Sequence, residues 1–516
     1  MAQTNVGGVR RTAVIDMGSN SFRLVVYGYE AGRYWQHVDE IREAVRVGQG
    51  MGDAGVLRPK PMERAVRTAN VYGSFCRAAR IDDVMPVATS AIRSARNGRE
   101  LLDRIERESG LEARVLDEQE EAQYGYLAIA NSTTIEDGFG IDIGGGSVQA
   151  TRLENRRMTE SGSWQLGAVR VSEAFLPDDG PASSKQLKAL RKHVRSEVES
   201  AEFLSASEQT GPRAAGIGGT IRNLASAAER RAGLPETDAQ GFLLTRDALE
   251  DLIEELAGLP PEKRGAVPGI KPDRGDVILG GAVVLGALMD TIGAEELEAT
   301  DAGLREGIFF EHFLDPADPP LFPDVRGSSV MNLAHRYQDD LSHPRHVARL
   351  SLQILDGLTR AGLADAGPED RELLWAAGML HDIGTAIDYD DHHKHSRYLI
   401  LNARLPGFTP RELHLVGLIA RYHRKGEPDA SELGKLARKD DARRLALLAG
   451  TIRLAEQLER SRDQSVASVE VSSENGEVRI DPEAPAEADV AIWSARRNAD
   501  LLASTLGKTV AIAPDR

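Results

Sequence analysis

The sequence predicts an α/β protein built from a duplicated pair of domains, followed by a mostly α-helical domain and a small α/β end piece. Three observations carry this. The stretch Ile15-Asp16-Met17-Gly18-Ser19-Asn20-Ser21 is nearly written again as Ile141-Asp142-Ile143-Gly144-Gly145-Gly146-Ser147. A proline-rich run, Leu314 to Pro323, then interrupts the chain, and nearly all the histidines fall beyond it. The expected boundaries are 1–130 and 131–313 for the paired domains, 325–464 for the helical domain and 465–516 for the end piece.

Each copy of the repeat is an apolar strand ending in aspartate, a turn through glycine and small hydroxylated residues, and a second strand, as at Phe22-Arg23-Leu24-Val25-Val26. Glycine lets the backbone take positive φ and approach an anion closely. Successive backbone N–H groups in such a turn form an anion-binding concavity. The aspartate can orient a metal ion or a water. One copy alone reads more often as a plain hairpin, but two equivalent loops suggest facing loops that grip one phosphorylated ligand across a cleft.

Composition bounds the rest. At 516 residues the chain exceeds what one core serves, so two to four domains are expected. The apolar fraction of 41% is that of a soluble globular protein, and no window approaches the roughly 18 apolar residues a membrane span needs. A net charge of −17 argues against generic nucleic-acid or membrane binding, though a polyanion needs only a local basic lining. The single cysteine, Cys76, fits a reducing cytoplasm. The start, Met1 to Arg11, lacks the apolar core of a secretory signal and reads as a short flexible lead.

In chain order, residues 34–48 alternate as a strand, and glycines 48, 50, 52 and 55 make a turn-rich stretch. Pro59 and Pro61 then open a helix carrying Met62, Ala65, Val66, Ala69, Val71 and Tyr72 on its apolar side. The buried strand Val84 to Ala88 ends in Thr89-Ser90-Ala91-Ile92-Arg93, either a phosphate-holding turn or a plain N-cap. Leu116 to Tyr126 begins a helix whose acidic first turn suits the helix dipole and brings a carboxylate near the second loop, where it can activate water. A third glycine loop, Gly216-Ile217-Gly218-Gly219-Thr220, follows an apolar strand and opens a helix, as an anion site or a tight turn does.

Taken in order, Asp16 to Arg23, Ala88 to Arg93, Glu120-Glu121-Ala122, Asp142 to Ser147 and Gly216 to Thr220 resemble the exopolyphosphatase and guanosine-pentaphosphate phosphohydrolase family. That family belongs to the actin, Hsp70 and sugar-kinase superfamily of duplicated, ribonuclease H-like domains. Lys271 to Ile278 and Asp301 to Gly307 also look like family segments. The resemblance implies that Glu121 is the general base and that Asp142 helps position Mg²⁺ (or Mn²⁺). It implies that Arg93 neutralises phosphoryl oxygens, while Gly18, Ser19, Asn20, Ser21, Gly144, Gly145, Gly146, Ser147, Gly218, Gly219 and Thr220 bind phosphates. The chemistry is coherent, because phosphoryl transfer asks mainly for positioning and charge neutralisation. One departure stands out: where the family continues with Ser-Thr-Glu, this chain reads Ser147-Val148-Gln149, an amide that coordinates without charge.

Beyond the prolines, His346, His381-Asp382 and a distal acid resemble the HD phosphohydrolase fold, a helical metal-binding domain. The distal acid is Glu456 in place of aspartate, with Asp463 a second candidate; the resemblance implies either a second divalent metal here or a domain that mainly extends the substrate channel and the dimer contact. His392, His393, His395 and His423 add further imidazoles. Val469 to Ile480 alternates as a hairpin around Asn475-Gly476, and Trp493 to Leu502 suits a helix packed back on the body. The implied activity is exopolyphosphatase. The same loops fit a guanosine pentaphosphate 5′-phosphohydrolase, a non-catalytic sensor of polyphosphate or (p)ppGpp, or a phosphotransferase. The resemblance also implies a homodimer.

Overall fold

The structure is a computed structural model that describes residues 8–51, 54–205, 211–235, 239–474, 476–484 and 488–512. The first seven residues of the expected lead, Gly52 and Asn475 lie outside the described residues. The chain divides into two compact units, Met1–Val325 and Arg326–Arg516. Among the described residues no helix is long and apolar enough to cross a membrane.

The first unit holds two mixed sheets of one design. Strands β1 (Arg10–Met17), β2 (Phe22–Glu30), β3 (Tyr34–Glu43), β4 (Asp83–Ala88) and β5 (Arg114–Val115) lie in the order β3-β2-β1-β4-β5. Strands β6 (Gly138–Ile143), β7 (Val148–Glu154), β8 (Arg157–Trp164), β9 (Ala214–Ile217), β10 (Phe242–Thr245) and β11 (Glu296–Ala299) lie in the order β10-β11-β9-β6-β7-β8. Read outward from β1 or from β6, both sheets run hairpin to one side and parallel strand to the other. This is the duplicated actin-like architecture, and the repeated Asp-x-Gly loops occupy equivalent hairpin turns in it.

The expected lead is shorter than the sequence suggests. β1 begins at Arg10 because Arg10 and Arg11 pair with Tyr29 and Gly28, and the Arg11 N–H donates to Asp82 Oδ2 at 2.7 Å. The strand read over 34–48 stops at Glu43, and Arg46 and Gly48 turn back so that their N–H groups donate to the carbonyls of Asn20 and Ser19. Helix Pro59–Ala78 buries Met62, Ala65, Val66, Ala69 and Tyr72, but Val71 falls on the opposite side and is exposed.

Two helices lie between the sheets. Helix Glu118–Ala130 packs against helix Leu304–Leu314 so closely that a Cβ on Gly307 would lie 1.9 Å from the Tyr124 carbonyl oxygen. The later helix also covers the first sheet, with Phe309 stacked on Tyr27 at 4.2 Å between ring centroids and Glu306 accepting from Tyr27 Oη at 2.6 Å. Val14, Tyr27, Leu127, Ile217 and Phe309 therefore share one apolar core.

The second unit is helical: Val325–Tyr337, Ser342–Arg360, Pro368–Leu380, His392–Leu401, Pro410–Tyr422 and Asp441–Leu458 surround a single core. Its end piece pairs β12 (Ser468–Glu474) with β13 (Glu477–Glu483) as the expected hairpin and adds β14 (Thr509–Ile512) parallel to β13. The single helix expected over 493–502 is two, Asp489–Arg496 and Asp500–Leu506. Leu502 is buried, whereas Trp493 faces outward beneath the Arg497 guanidinium.

Candidate active site

The first two glycine loops meet. A Cβ on Gly146 would lie 2.8 Å from Ser90 Oγ and 3.3 Å from Ser19 Oγ, and the hydroxyls of Ser19 and Ser90 are 3.0 Å apart. Thr89 thus stands at an N-cap position without a side-chain capping bond, while Ser90 turns to the loops. The carbonyls of Ser19, Asn20, Gly144 and Gly145 accept N–H groups from outside the loops. With those acceptors satisfied, the loops offer an anion N–H and O–H donors. Ser19, Asn20, Ser90, Gly145, Gly146 and Arg46 line a cleft of about 710 Å³; Glu121 and Asp142 are not in its lining.

The third loop closes around the aspartate of the second. Gly218 has φ +94°, and a Cβ there would lie 2.7 Å from Asp142 Oδ1. Two of the expected phosphate-binding hydroxyls point elsewhere. Thr220 is buried against Gly281. Ser147 Oγ accepts from Gln149 Nε2 at 3.0 Å.

Capping chemistry separates the two neighbouring glutamates. Glu120 completes a capping box: its N–H donates to Asp117, its carboxylate accepts the Asp117 N–H at 2.9 Å, and Arg114 pairs with it. Glu121, the next residue, is turned to Arg93 instead. The Arg93 Nη1 also donates to the Leu116 carbonyl at 2.8 Å, which fixes the guanidinium. Burial pushes Glu121 up to about 7 against the pull of Arg93, with the charges of Asp142 and Asp16 adding to the rise. Asp142 is pushed up to about 6 by burial and then by Asp16. Its carboxylate makes no hydrogen bond among the described residues, although Gln149 lies opposite it in register. Gln149 is buried, with its Nε2 spent on Ser147 and Ser163 and its Oε1 left as an acceptor.

A set of cations gathers nearby that the sequence reading left without roles. Arg305 lies 3.3 Å from Asp16, and Arg222 donates to the Asp301 carbonyl and carboxylate at 3.0 and 2.8 Å. Arg23 is pushed down to about 10 by burial and then by Arg305. Lys271 is lowered by burial and then by Arg222, Arg23 and Arg42. Mutual repulsion of this kind means the cations share one region, a local basic lining in a chain of net charge −17. The signal was present: Arg23, Arg222, Lys271 and Arg305 all lie in or beside the segments that carry the family resemblance.

In the helical unit His381, Asp382 and Glu456 come together, but His346 does not join them. Its Nε2 donates to the Val466 carbonyl at 2.9 Å, and its Nδ1 accepts from Arg349 at 2.9 Å. His343, one turn earlier on the same helix, faces the group instead, with Nε2 3.1 Å from Glu456 Oε2. Asp463 accepts the Ser465 N–H and is exposed. Two buried groups of donors suited to a metal ion result, His343 with His381 and Asp382, and Asp382 with His392 and His423.

Residues 25–315 match the model of the Ppx/GppA phosphatase family, and residues 325–492 match that of Ppx/GppA phosphatase domain III. Among solved structures, the Ppx/GppA family member of Aquifex aeolicus is 27% identical, covering 58% of this chain and 97% of its own, with a TM-score of 0.51. An exopolyphosphatase from Cytophaga hutchinsonii is 22% identical over 59% of this chain and 98% of its own, with a TM-score of 0.55, a likeness of fold. With more than half its length matched by the family model, this chain belongs to the Ppx/GppA phosphatase family.

Proposed function

We propose that the first unit is an exopolyphosphatase, removing the terminal phosphate of inorganic polyphosphate. The observation that carries this is the placement of Glu121: a half-buried carboxylate raised to about 7, paired with Arg93 and near enough to Asp142 and Asp16 to feel their charge. A general base works best when its pKa lies near the operating pH. Glu121 takes a proton from the attacking water, the water oxygen bonds to the terminal phosphorus, and the anhydride P–O bond breaks. The products are orthophosphate and a chain shorter by one phosphate. Arg93 holds Glu121 in place and offers its charge to the phosphoryl oxygens. The facing turns at Ser19, Asn20, Gly145 and Gly146 bind the terminal phosphate, and Arg23, Arg222, Lys271 and Arg305 receive the rest of the polyanion.

The oxygen donors fit a hard divalent cation. Asp142 is half-buried, makes no hydrogen bond among the described residues and is repelled by Asp16, so it suits a positive partner. Asp142, Asp16 and the Gln149 Oε1 would hold Mg²⁺ or Mn²⁺. When bound, the ion supplies charge neutralisation at the phosphate oxygens.

The test is phosphate release by the purified protein with Mg²⁺, from long-chain polyphosphate and from guanosine pentaphosphate, with Glu121→Gln alongside. Release that prefers polyphosphate and is lost in the variant is expected. Preference for guanosine pentaphosphate would reassign the substrate to the nucleotide, and ATP formed from polyphosphate and ADP would make the protein a phosphotransferase. Binding without release would move it to a sensor, a reading that the uncharged Gln149 favours.

A further inference from the structure

Arginines around the cleft of the first unit stand paired with carboxylates, and two of these pairs have no part in the chemistry above. On β3, Arg42 Nη2 donates to Asp273 Oδ2 at 2.6 Å. In the turn after β3, Arg46 lies 3.6 Å from Asp276. The two acids sit just before helix Ile278–Ile292, which is buried in the core of the second sheet. Both pairs therefore cross from the first sheet to an element of the second.

The two arginines lie where a polyanion would run. Arg46 and Asp276 line the cleft together with Ser19, Asn20 and Gly146. Arg42 stands opposite Arg23 across β3 and β2, and Arg23 stands opposite Asp16 across β2 and β1. Directly opposed residues share one face of a sheet. With neighbouring strands about 4.8 Å apart, Asp16, Arg23 and Arg42 form a row about 10 Å long. A phosphate chain that extends from the glycine loops along this row meets Arg23 and then Arg42. After burial, the charge of Arg42 is among the causes that lower Arg23, Lys271 and Arg274, so it belongs to the same basic lining.

The partners of these arginines are open to water. The side chains of Asp273 and Asp276 are 37% and 50% exposed, against 19% for Asp16 beside Arg305. Solvent screens an exposed ion pair, so it holds weakly. A carboxylate offers one negative charge, whereas a phosphate chain offers many at once and gains the other cations of the row as well.

We propose that Asp273 and Asp276 are built-in competitors of the polyanionic substrate: they occupy Arg42 and Arg46, and the phosphates of an entering chain displace them. This rests on the polyphosphate reading above. It adds Arg42 and Arg46 to the residues that receive the chain, and it makes two carboxylates set the affinity for that chain.

The experiment breaks the same pairs from their two ends. KM and kcat for phosphate release from long-chain polyphosphate are measured at fixed salt and Mg²⁺, with unfolding temperatures to establish folding. Asp273→Asn with Asp276→Asn frees the arginines and is expected to lower KM several-fold, while Arg42→Gln with Arg46→Gln is expected to raise it several-fold. Pairs that only tie the two sheets together would move KM the same way from either end. Asp251→Asn with Glu255→Gln, the same change of charge around Arg231 and outside the cleft lining, is expected to leave KM as it is. If either double variant at the cleft does not fold, Asp273→Asn and Arg42→Gln decide by the same opposite signs. Calorimetric titration with the polymer in the absence of Mg²⁺ reads the affinities without turnover. Opposite shifts in titration from a parent that releases no phosphate would fail the hydrolase reading and keep the competition. An Asn variant whose KM and affinity match the parent's or are weaker, an equal gain in the Arg231 control, or a parent that binds no polyphosphate overturns the proposal.

Discussion

Gln149 lies directly opposite Asp142 across β6 and β7, the register position at which Arg23 lies opposite Asp16 across β1 and β2. Directly opposed residues put their side chains on one face of the sheet, so whatever stands at 149 sets the charge beside Asp142. An amide contributes an oxygen and no charge. Gln149→Glu is therefore expected to lower the Mg²⁺ concentration for half-maximal phosphate release several-fold. Without Mg²⁺ the same variant is expected to unfold at a lower temperature, because a third carboxylate joins Asp142 and Asp16 in a buried setting. A variant with the parent's Mg²⁺ requirement would count against Gln149 as a neighbour of the ion.

The raised pKa of Glu121 ties activity and stability to pH in opposite directions. As the base it must be deprotonated, so the rate is expected to rise with pH through about 7. Its folded pKa lies above that of a solvated carboxyl, so the native state holds the proton more tightly than the unfolded chain does. That contribution to stability is full below the unfolded value and is lost as pH rises through about 7. Asp142, raised to about 6, acts in the same direction. Calorimetry of the metal-free protein is expected to show the first unit melting lower at pH 8 than at pH 5.5. Arg93→Ala removes the charge that opposes the rise, so its activity profile is expected to move to higher pH. An unshifted profile would mean that Glu121 does not titrate in the active range.

What the sequence revealed depended on whether the determining forces were local. The paired loops and their strands could be read because the apolar runs, aspartates and glycines that shape them are adjacent in the chain. The base at Glu121 followed from resemblance, but the reason Glu120 is excluded lies in a capping box. His346 and His343 lie about one turn apart on one helix, so periodicity cannot choose between them. The choice is made by the Val466 carbonyl, far away in the chain, which captures His346. The basic lining was missed for the same reason: Arg23, Arg222 and Arg305 are neighbours only after both sheets have formed. β14 was missed because four residues carry too little pattern.

Gly218 combines two constraints that no other residue type meets. Its φ of +94° with ψ of 162° is a region that side chains avoid, and a Cβ would press on Asp142 Oδ1 at 2.7 Å. Backbone strain of this kind costs about 1–3 kcal/mol. Gly218→Ala is expected to lower the unfolding temperature of the first unit and to cut phosphate release by more than the lost stability explains, because Asp142 is displaced. Gly219→Ala is expected to be milder, since the atoms it meets belong to the far end of the Arg274 side chain and not to backbone. Equal effects at the two positions would show that the Asp142 contact is unimportant.

Among the described glycines of the first unit, Gly307 has the least room for a side chain, and it joins the two helices between the sheets, linking stability to catalysis. Gly307 leaves no room for a methyl group, because its Cβ would lie 1.9 Å from the Tyr124 carbonyl oxygen, a backbone atom that cannot swing aside. Gly307→Ala must therefore push helix Leu304–Leu314 away from helix Glu118–Ala130, disturbing the core of Tyr27, Leu127 and Phe309. Overpacking of this type costs typically about 1–3 kcal/mol, and a fall in the unfolding temperature of the first unit is the expected reading. Glu121 lies one turn before Tyr124 on the displaced helix, so the base moves relative to Arg93 and Asp142. The kcat is expected to fall while KM stays near the parent's, since the phosphate loops belong to other elements. Gly303→Ala is the control: its backbone is extended and its nearest neighbour is 3.6 Å away, so a change within about 0.5 kcal/mol is expected. If Gly307→Ala melts with the parent, the two helices are free to separate and the base is not held by their contact.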